Sequence, residues 1–165
     1  MAMVEFGGGL VSTIGELPAV GTQAPDALLV DKDLNGVQLR SIPGKKVLNI
    51  FPSIGTGVCQ NSVRNFNAKA AEFGDAKVLN ISQDLPFAMI GFCAAEGIEN
   101  VESYSTFRGN FSKDYGVEFT EGGFIGLCSR SIVILDENNQ VIYTEQVPAT
   151  GQEPDYAAAL AALKA

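Results

Sequence analysis

Cys59 closes the run Phe51-Pro52-Ser53-Ile54-Gly55-Thr56-Gly57-Val58-Cys59, which follows the mostly apolar stretch Val47-Leu48-Asn49-Ile50-Phe51. If that stretch is a strand stopping at Pro52 and a helix begins near Gly57, Thr56 is the N-cap and Cys59 the third helical position. An N-cap hydroxyl accepts a bond from the backbone N–H of that position, so the spacing alone brings the Thr56 side chain beside Cys59. Unpaired N–H groups and the helix dipole in a first turn favour a thiolate. The residue types therefore offer one candidate for a nucleophilic sulfur with a hydroxyl at its side, and Pro52 in register with the strand-turn-helix context strengthens it. The competing reading is a buried hydrophobe behind an ordinary cap, which is what a lone cysteine in a small protein most often is.

Ionisation by itself achieves little. A thiol of pKa about 8.5 is roughly 3% ionised at pH 7, and lowering the pKa to about 6 gives a gain of ~30-fold in thiolate. Nucleophilicity falls with basicity at a slope of about 0.4–0.5, which loses ~13-fold over the same range. Fast chemistry at Cys59 therefore requires donors aimed at charge developing on a departing group. The Thr56 hydroxyl, backbone N–H groups of the turn and one guanidinium are candidates.

Composition narrows the alternatives. A chain of 165 residues, 46% hydrophobic, predicts one compact domain spanning residues 1–165. The formal charge is −8, and basic residues adjoin only at Lys45-Lys46, so nothing replaces phosphate counterions and nucleic-acid binding is excluded. The absence of histidine removes His-ligated metals, His-bound haem and Ser-His or Cys-His triads. Cys59, Cys93 and Cys128 are too few for a disulfide scaffold, and no Cys-x-x-Cys occurs. The N-terminus lacks a basic start and an apolar run of signal length, and no segment is long enough to span a bilayer. A soluble cytoplasmic protein, not held at a membrane, is the expectation.

Three motifs are lookalikes. Asp31-Lys32-Asp33-Leu34-Asn35-Gly36 imitates half a calcium loop, but position twelve is Ile42. Gly7-Gly8-Gly9 has no lysine in P-loop register, and Asn110-Phe111-Ser112 is a chance sequon.

The elements that must position Cys59 follow from periodicity. Residues 4–14 and 28–40 read as short strands joined by turns, with Asn35-Gly36 the clearest hairpin signal. From Val58 onward, Val63, Phe66, Ala70 and Phe73 recur at helical spacing. A buried strand follows at Lys77–Ser82, then a helix from Pro86 that Gly97 ends. Phe107 to Tyr115 reads as a short helix, Ser131–Leu135 and Val141–Val147 as strands, and the tail from Pro154 to Lys164 as a helix. This alternation predicts an α/β protein with a mixed sheet and helices on both faces.

Pro-x-x-x-Thr-x-x-Cys at a strand-to-helix turn resembles the peroxidatic signature of peroxiredoxins. The resemblance sharpens to the bacterial thiol peroxidases (atypical two-cysteine peroxiredoxins) and covers essentially the whole chain. The matching runs include Lys46 to Ile54, Thr56 to Cys59, Asp84-Leu85-Pro86-Phe87-Ala88, Phe92-Cys93, Ala95-Glu96-Gly97, Ser105-Thr106-Phe107-Arg108 and Glu153-Pro154-Asp155-Tyr156. It implies a thioredoxin-like fold with an N-terminal β-hairpin and a peroxidase that reduces hydroperoxides without a bound cofactor. It further implies that Cys59 is the peroxidatic residue and Cys93 the resolving one, paired in an intrasubunit disulfide. Pro52 would shield the sulfur, Thr56 would hydrogen-bond thiolate and peroxide, and Arg130 matches the family's active-site arginine. Thioredoxin would be the reductant and a homodimer the assembly.

The chain departs from the family at two positions. Gly55 stands where aspartate is common, and Cys128, two residues before Arg130, where alanine is frequent; Cys128 reads as a packed spectator. Two rival functions remain at this stage. A thiol–disulfide oxidoreductase conflicts with the missing Cys-x-x-Cys, whereas a redox-sensing or chaperone-like module would use the same cysteine switch without turnover.

Overall fold

A computed structural model describes residues 1–165. The strands are β1 (Met3–Phe6), β2 (Gly9–Ser12), β3 (Leu28–Val30), β4 (Gly36–Gln38), β5 (Lys46–Ile50), β6 (Lys77–Ser82), β7 (Glu102–Ser105), β8 (Ser131–Leu135) and β9 (Val141–Gln146). The helices are α1 (Gly57–Lys69), α2 (Pro86–Glu96), α3 (Phe111–Asp114) and α4 (Tyr156–Lys164).

Seven strands form one mixed sheet in the order β4-β3-β7-β6-β5-β8-β9. β5, β6 and β7 run parallel, and the remaining neighbours are antiparallel. Parallel neighbours need long crossovers, which α1 and α2 supply. β1 and β2 pair separately as a hairpin. Its turn residues Gly7 and Gly8 have φ of 61° and 88°, the positive values that a tight two-residue hairpin turn requires.

Alternation along the strands divides the core. Val47, Val78, Ile132 and Ile134 meet Phe66 of α1 and Ala159 of α4 on one face. Their sequence neighbours Leu48, Leu79, Val133 and Leu135 point to the other face, against Phe111, Tyr115 and Val117. α2 joins α1 on the first face, where Met89 packs with Phe51, Cys59 and Val63. The expected helices on both faces are thus unequal. Three long helices cover one side, while short α3 and irregular segments cover the other. Phe66 is fully buried, so Phe66→Ala would cost about 3–5 kcal/mol.

Several local expectations need correction. β7 was not anticipated, and the helix expected from Phe107 to Tyr115 shrinks to Phe111–Asp114. The β3–β4 hairpin exists, but Asn35-Gly36 is not its centre. Asp31 Oδ1 accepts the N–H groups of Asp33 and Asn35 (both 2.9 Å), Leu34 takes φ of 67°, and Gly36 already belongs to β4. The β8–β9 turn repeats this device: Asp136 Oδ1 accepts from Asn138 (2.8 Å) and Gln140 (2.9 Å), with Asn139 at φ 61°. A carboxylate that closes its own turn overrides the dipeptide preference. Buried Lys46 ties this turn to the sheet, donating to Asn139 Oδ1 (2.8 Å) and Gly44 O (2.9 Å).

The helix ends follow expectation. Gly97 ends α2 in the left-handed region (φ 66°), and Asp155 caps α4 by accepting from Ala158 N at 2.9 Å. No helix is long and apolar enough to cross a membrane.

Candidate active site

β5 delivers the chain to Pro52, which is buried, and α1 begins five residues later. Thr56 has the extended backbone of an N-cap (φ −100°, ψ 147°), but its side chain bonds no helix N–H. This corrects the capping geometry expected from spacing. Thr56 Oγ1 instead donates to Cys59 Sγ at 2.8 Å, with Ser53 O at 3.2 Å as the competing acceptor. One hydroxyl carries one proton, so the two acceptors share it, and the shorter contact is to sulfur.

Arg130 arrives from across the sheet. The antiparallel β5–β8 register pairs Ile50 with Ser131, so the residue before β8 comes level with the end of β5. Arg130 Nη2 lies 3.4 Å from Cys59 Sγ and 3.1 Å from Thr150 O. The residue is 2% exposed, and its Nε and Nη1 have no protein partner. A buried guanidinium without a carboxylate is costly, and it places positive charge beside the sulfur. Its backbone is clamped by β9: Gln146 Nε2 donates to Arg130 O (3.1 Å), while Gln146 Oε1 accepts from Ser129 (3.2 Å) and Ser131 (3.3 Å).

Asp84, at the end of β6, braces the turn before Cys59. Its carboxylate accepts from Ser53 Oγ (2.8 Å), Ile54 N (2.7 Å) and Ser82 Oγ (2.6 Å). Gln60 Nε2 adds a bond to Ile54 O at 3.0 Å. Sequence reading assigned roles to neither Asp84 nor Gln146. For Asp84 a signal existed, a polar residue just past the carboxyl end of a parallel strand beside the strand that leads to Cys59. Cys59 is fully buried, whereas Gly55 and Gly57 are exposed, so this turn is the thin wall between the sulfur and solvent.

Cys93 sits in the last turns of α2, half-buried and packed against the cluster that contains Cys59. Both carry free thiols, and a bond between them would need their Cα atoms within about 7 Å. Cys93 Sγ lies 3.9 Å from Ser103 Oγ on β7. Burial pushes the Cys93 thiol pKa up, and the Ser103 hydroxyl opposes that shift. Cys93 also lines a cleft of about 680 Å³ with Met89, Ile90, Ile98 and Tyr104. Across the α1–α2 seam, Arg64 pairs with Glu96 and stacks its guanidinium 5.3 Å from the Phe92 ring centre. Cys128 is fully buried in the opposite core, its pKa pushed up to about 12, first by burial and then by the charges of Glu118 and Asp84.

A buried thiol thus lies between a hydroxyl and a guanidinium without a carboxylate partner, with a second thiol on the adjoining helix. Residues 19–160 match the model of the Redoxin family. The thiol peroxidase of Mycobacterium tuberculosis is 50% identical over 166 residues, covering 100% of both chains. That of Corynebacterium glutamicum is 49% identical over 164 residues, covering 99% of each. Among solved structures, a peroxiredoxin-like protein from Aquifex aeolicus superposes with a TM-score of 0.92 at 33% identity, covering 98% of this chain and 95% of its own. The chain belongs to the Redoxin family, and the peroxiredoxin fold expected from the resemblance is the fold found.

Proposed function

We propose that this enzyme is a thiol peroxidase in which Cys59 reduces hydroperoxides and Cys93 resolves the product. The Cys59 thiolate attacks one peroxide oxygen; the S–O bond forms, the O–O bond breaks, and the departing alkoxide leaves as an alcohol after taking a proton. Thr56 and Arg130 orient the sulfur for attack, and the free Nε and Nη1 of Arg130 stabilise charge on the departing oxygen. Pro52 screens the sulfenic acid from bulk water. The Cys93 thiolate then attacks Cys59 Sγ, giving an intrachain disulfide and water. Thioredoxin returns both thiols. A cytoplasmic location and a homodimer belong to this reading through the family resemblance.

The observation that carries the reading is the position of Cys59 Sγ between Thr56 Oγ1 and Arg130 Nη2. The test is turnover of hydrogen peroxide and cumene hydroperoxide with thioredoxin and its reductase, beside Cys59→Ser and Cys93→Ser. Cys59→Ser should be inactive, and one equivalent of peroxide should yield a Cys59–Cys93 peptide by mass spectrometry. A stable Cys59 sulfinate without that peptide would overturn the role of Cys93. Turnover surviving in Cys59→Ser would overturn the whole scheme.

A further inference from the structure

Polar side chains run through the sheet where the strands otherwise present Val and Ile. Asn49 pairs with Asn80 across β5–β6, and Asn80 with Ser103 across β6–β7. Both asparagines are almost fully buried, a costly choice unless the groups are used. Asn49 Nδ2 reaches Ser62 Oγ (3.3 Å) and Asn80 Oδ1 (3.1 Å), and Asn80 Nδ2 reaches Ser103 Oγ (3.5 Å). At one end Ser62 Oγ donates to Cys59 O at 2.8 Å; at the other, Ser103 Oγ lies 3.9 Å from Cys93 Sγ.

The shortest bond sets the direction of all the others. A carbonyl only accepts, so the single Ser62 proton goes to Cys59 O and the Ser62 oxygen must accept from Asn49. That turns Asn49 Nδ2 toward Ser62 and Asn80, leaving Asn49 Oδ1 without a protein partner. Asn80 must then show Oδ1 to Asn49 and Nδ2 to Ser103. The Ser103 oxygen accepts, and its own proton is free for Cys93 Sγ.

We propose that Ser62, Asn49, Asn80 and Ser103 form a one-way hydrogen-bond row that aims the Ser103 hydroxyl at Cys93, making Ser103 the positioning residue of the resolving step. The inference rests on the reading of Cys93 as the resolving thiol. In that step the Cys93 thiolate attacks Cys59 Sγ; the S–S bond forms, the S–O bond of the sulfenic acid breaks, and hydroxide takes up the proton Cys93 released. A hydroxyl bonds a thiolate more strongly than a thiol, so Ser103 favours the reactive form that burial disfavours. The other charged or titratable groups around the Cys93 cleft are Asp31, Lys32 and Asp33 from the β3–β4 turn, Glu99, and Glu102 and Tyr104 on β7. Arg64 and Glu96 pair with each other at the α1–α2 seam. A Ser103→Ala substitution leaves all of them in place.

Removing the hydroxyl should raise the Cys93 pKa, because burial then acts unopposed, and so lower the thiolate fraction at pH 7. Higher nucleophilicity returns part of that loss, leaving resolution about two- to fivefold slower. The first test is the pH profile of Cys93 alkylation by iodoacetamide in a Cys59→Ser background, read at Cys93 by mass spectrometry. Ser103→Ala should shift the profile up, and Ser103→Thr should restore it. The second is single turnover with cumene hydroperoxide in the chain with Cys59 intact. Sulfenic acid formation should be unchanged in Ser103→Ala, disulfide formation slower at pH 7, and the gap should close as pH rises. An unshifted alkylation profile, or equal slowing of both steps, overturns the proposal. A wild-type chain that forms no Cys59–Cys93 disulfide overturns it through the reading beneath it, and the alkylation profile, which needs no peroxide, tells the two failures apart.

Discussion

The Thr56 hydroxyl donates a hydrogen bond to the Cys59 sulfur at 2.8 Å, rather than accepting one from the helix it begins. A cap position has been turned into a donor for the proposed nucleophile. Thr56→Val keeps the shape and removes the donor, so the rate of Cys59 oxidation by hydroperoxide should fall about 10²–10³-fold. Thr56→Ser should stay within about tenfold of wild type. Rapid-quench mass spectrometry of the Cys59 peptide measures both, and equal rates in Val and Ser would remove the hydroxyl from the mechanism.

Arg130 should separate activity from stability. Its guanidinium is buried with two unpaired nitrogens, so replacing it with an apolar side chain relieves a desolvation cost. Arg130→Met should raise the thermal midpoint by about 2–4 °C while lowering the peroxide rate about 10²-fold or more. Calorimetry beside single-turnover kinetics checks the pair; a drop in both would mean that Arg130 is a structural residue.

Arg64 holds α2 to α1 through Glu96 and Phe92 at a half-exposed seam. In the proposed mechanism, joining Cys59 to Cys93 loosens that seam. Arg64→Ala should therefore speed the step and reduce Cys59 sulfinate under excess peroxide, by about two- to fivefold. Increased sulfinate would show that the contact guides Cys93 instead of restraining it.

The pH dependence of stability carries the mark of Cys128. Its folded pKa, about 12, lies above the ordinary 9.0, so the folded chain holds this proton longer than the unfolded one. The resulting stability is complete below pH 9 and is lost as pH climbs toward 12, at up to about 1.4 kcal/mol per pH unit. Urea titrations should show Cys128→Ala losing stability less steeply across that window. Tyr104, Tyr115 and Tyr156 are also shifted upward and contribute to both proteins, so the difference isolates the thiol.

Much of the framework was legible from periodicity. The apolar runs of β5, β6 and β8 and the stripes of α1 and α4 announce themselves, because burial of one or both faces demands them. β7 did not, since Glu102-Ser103-Tyr104-Ser105 has no apolar run, and its strand character comes from pairing with β6. The hairpin signal at Asn35-Gly36 misled because a side-chain bond from Asp31 outweighed a dipeptide preference.

Residues Thr56 and Cys59 share one helical turn, so their closeness is a property of local geometry that residue order alone determines. Arg130 lies 71 residues from Cys59, and only the β5–β8 register brings its guanidinium to the sulfur. Asp84 reaches Ser53 and Ile54 for the same reason, through adjacent parallel strand ends. Short-range chemistry is written along the chain; the charges and hydrogen-bond rows that act on it are assembled across strands, where pairing decides which distant residues become neighbours.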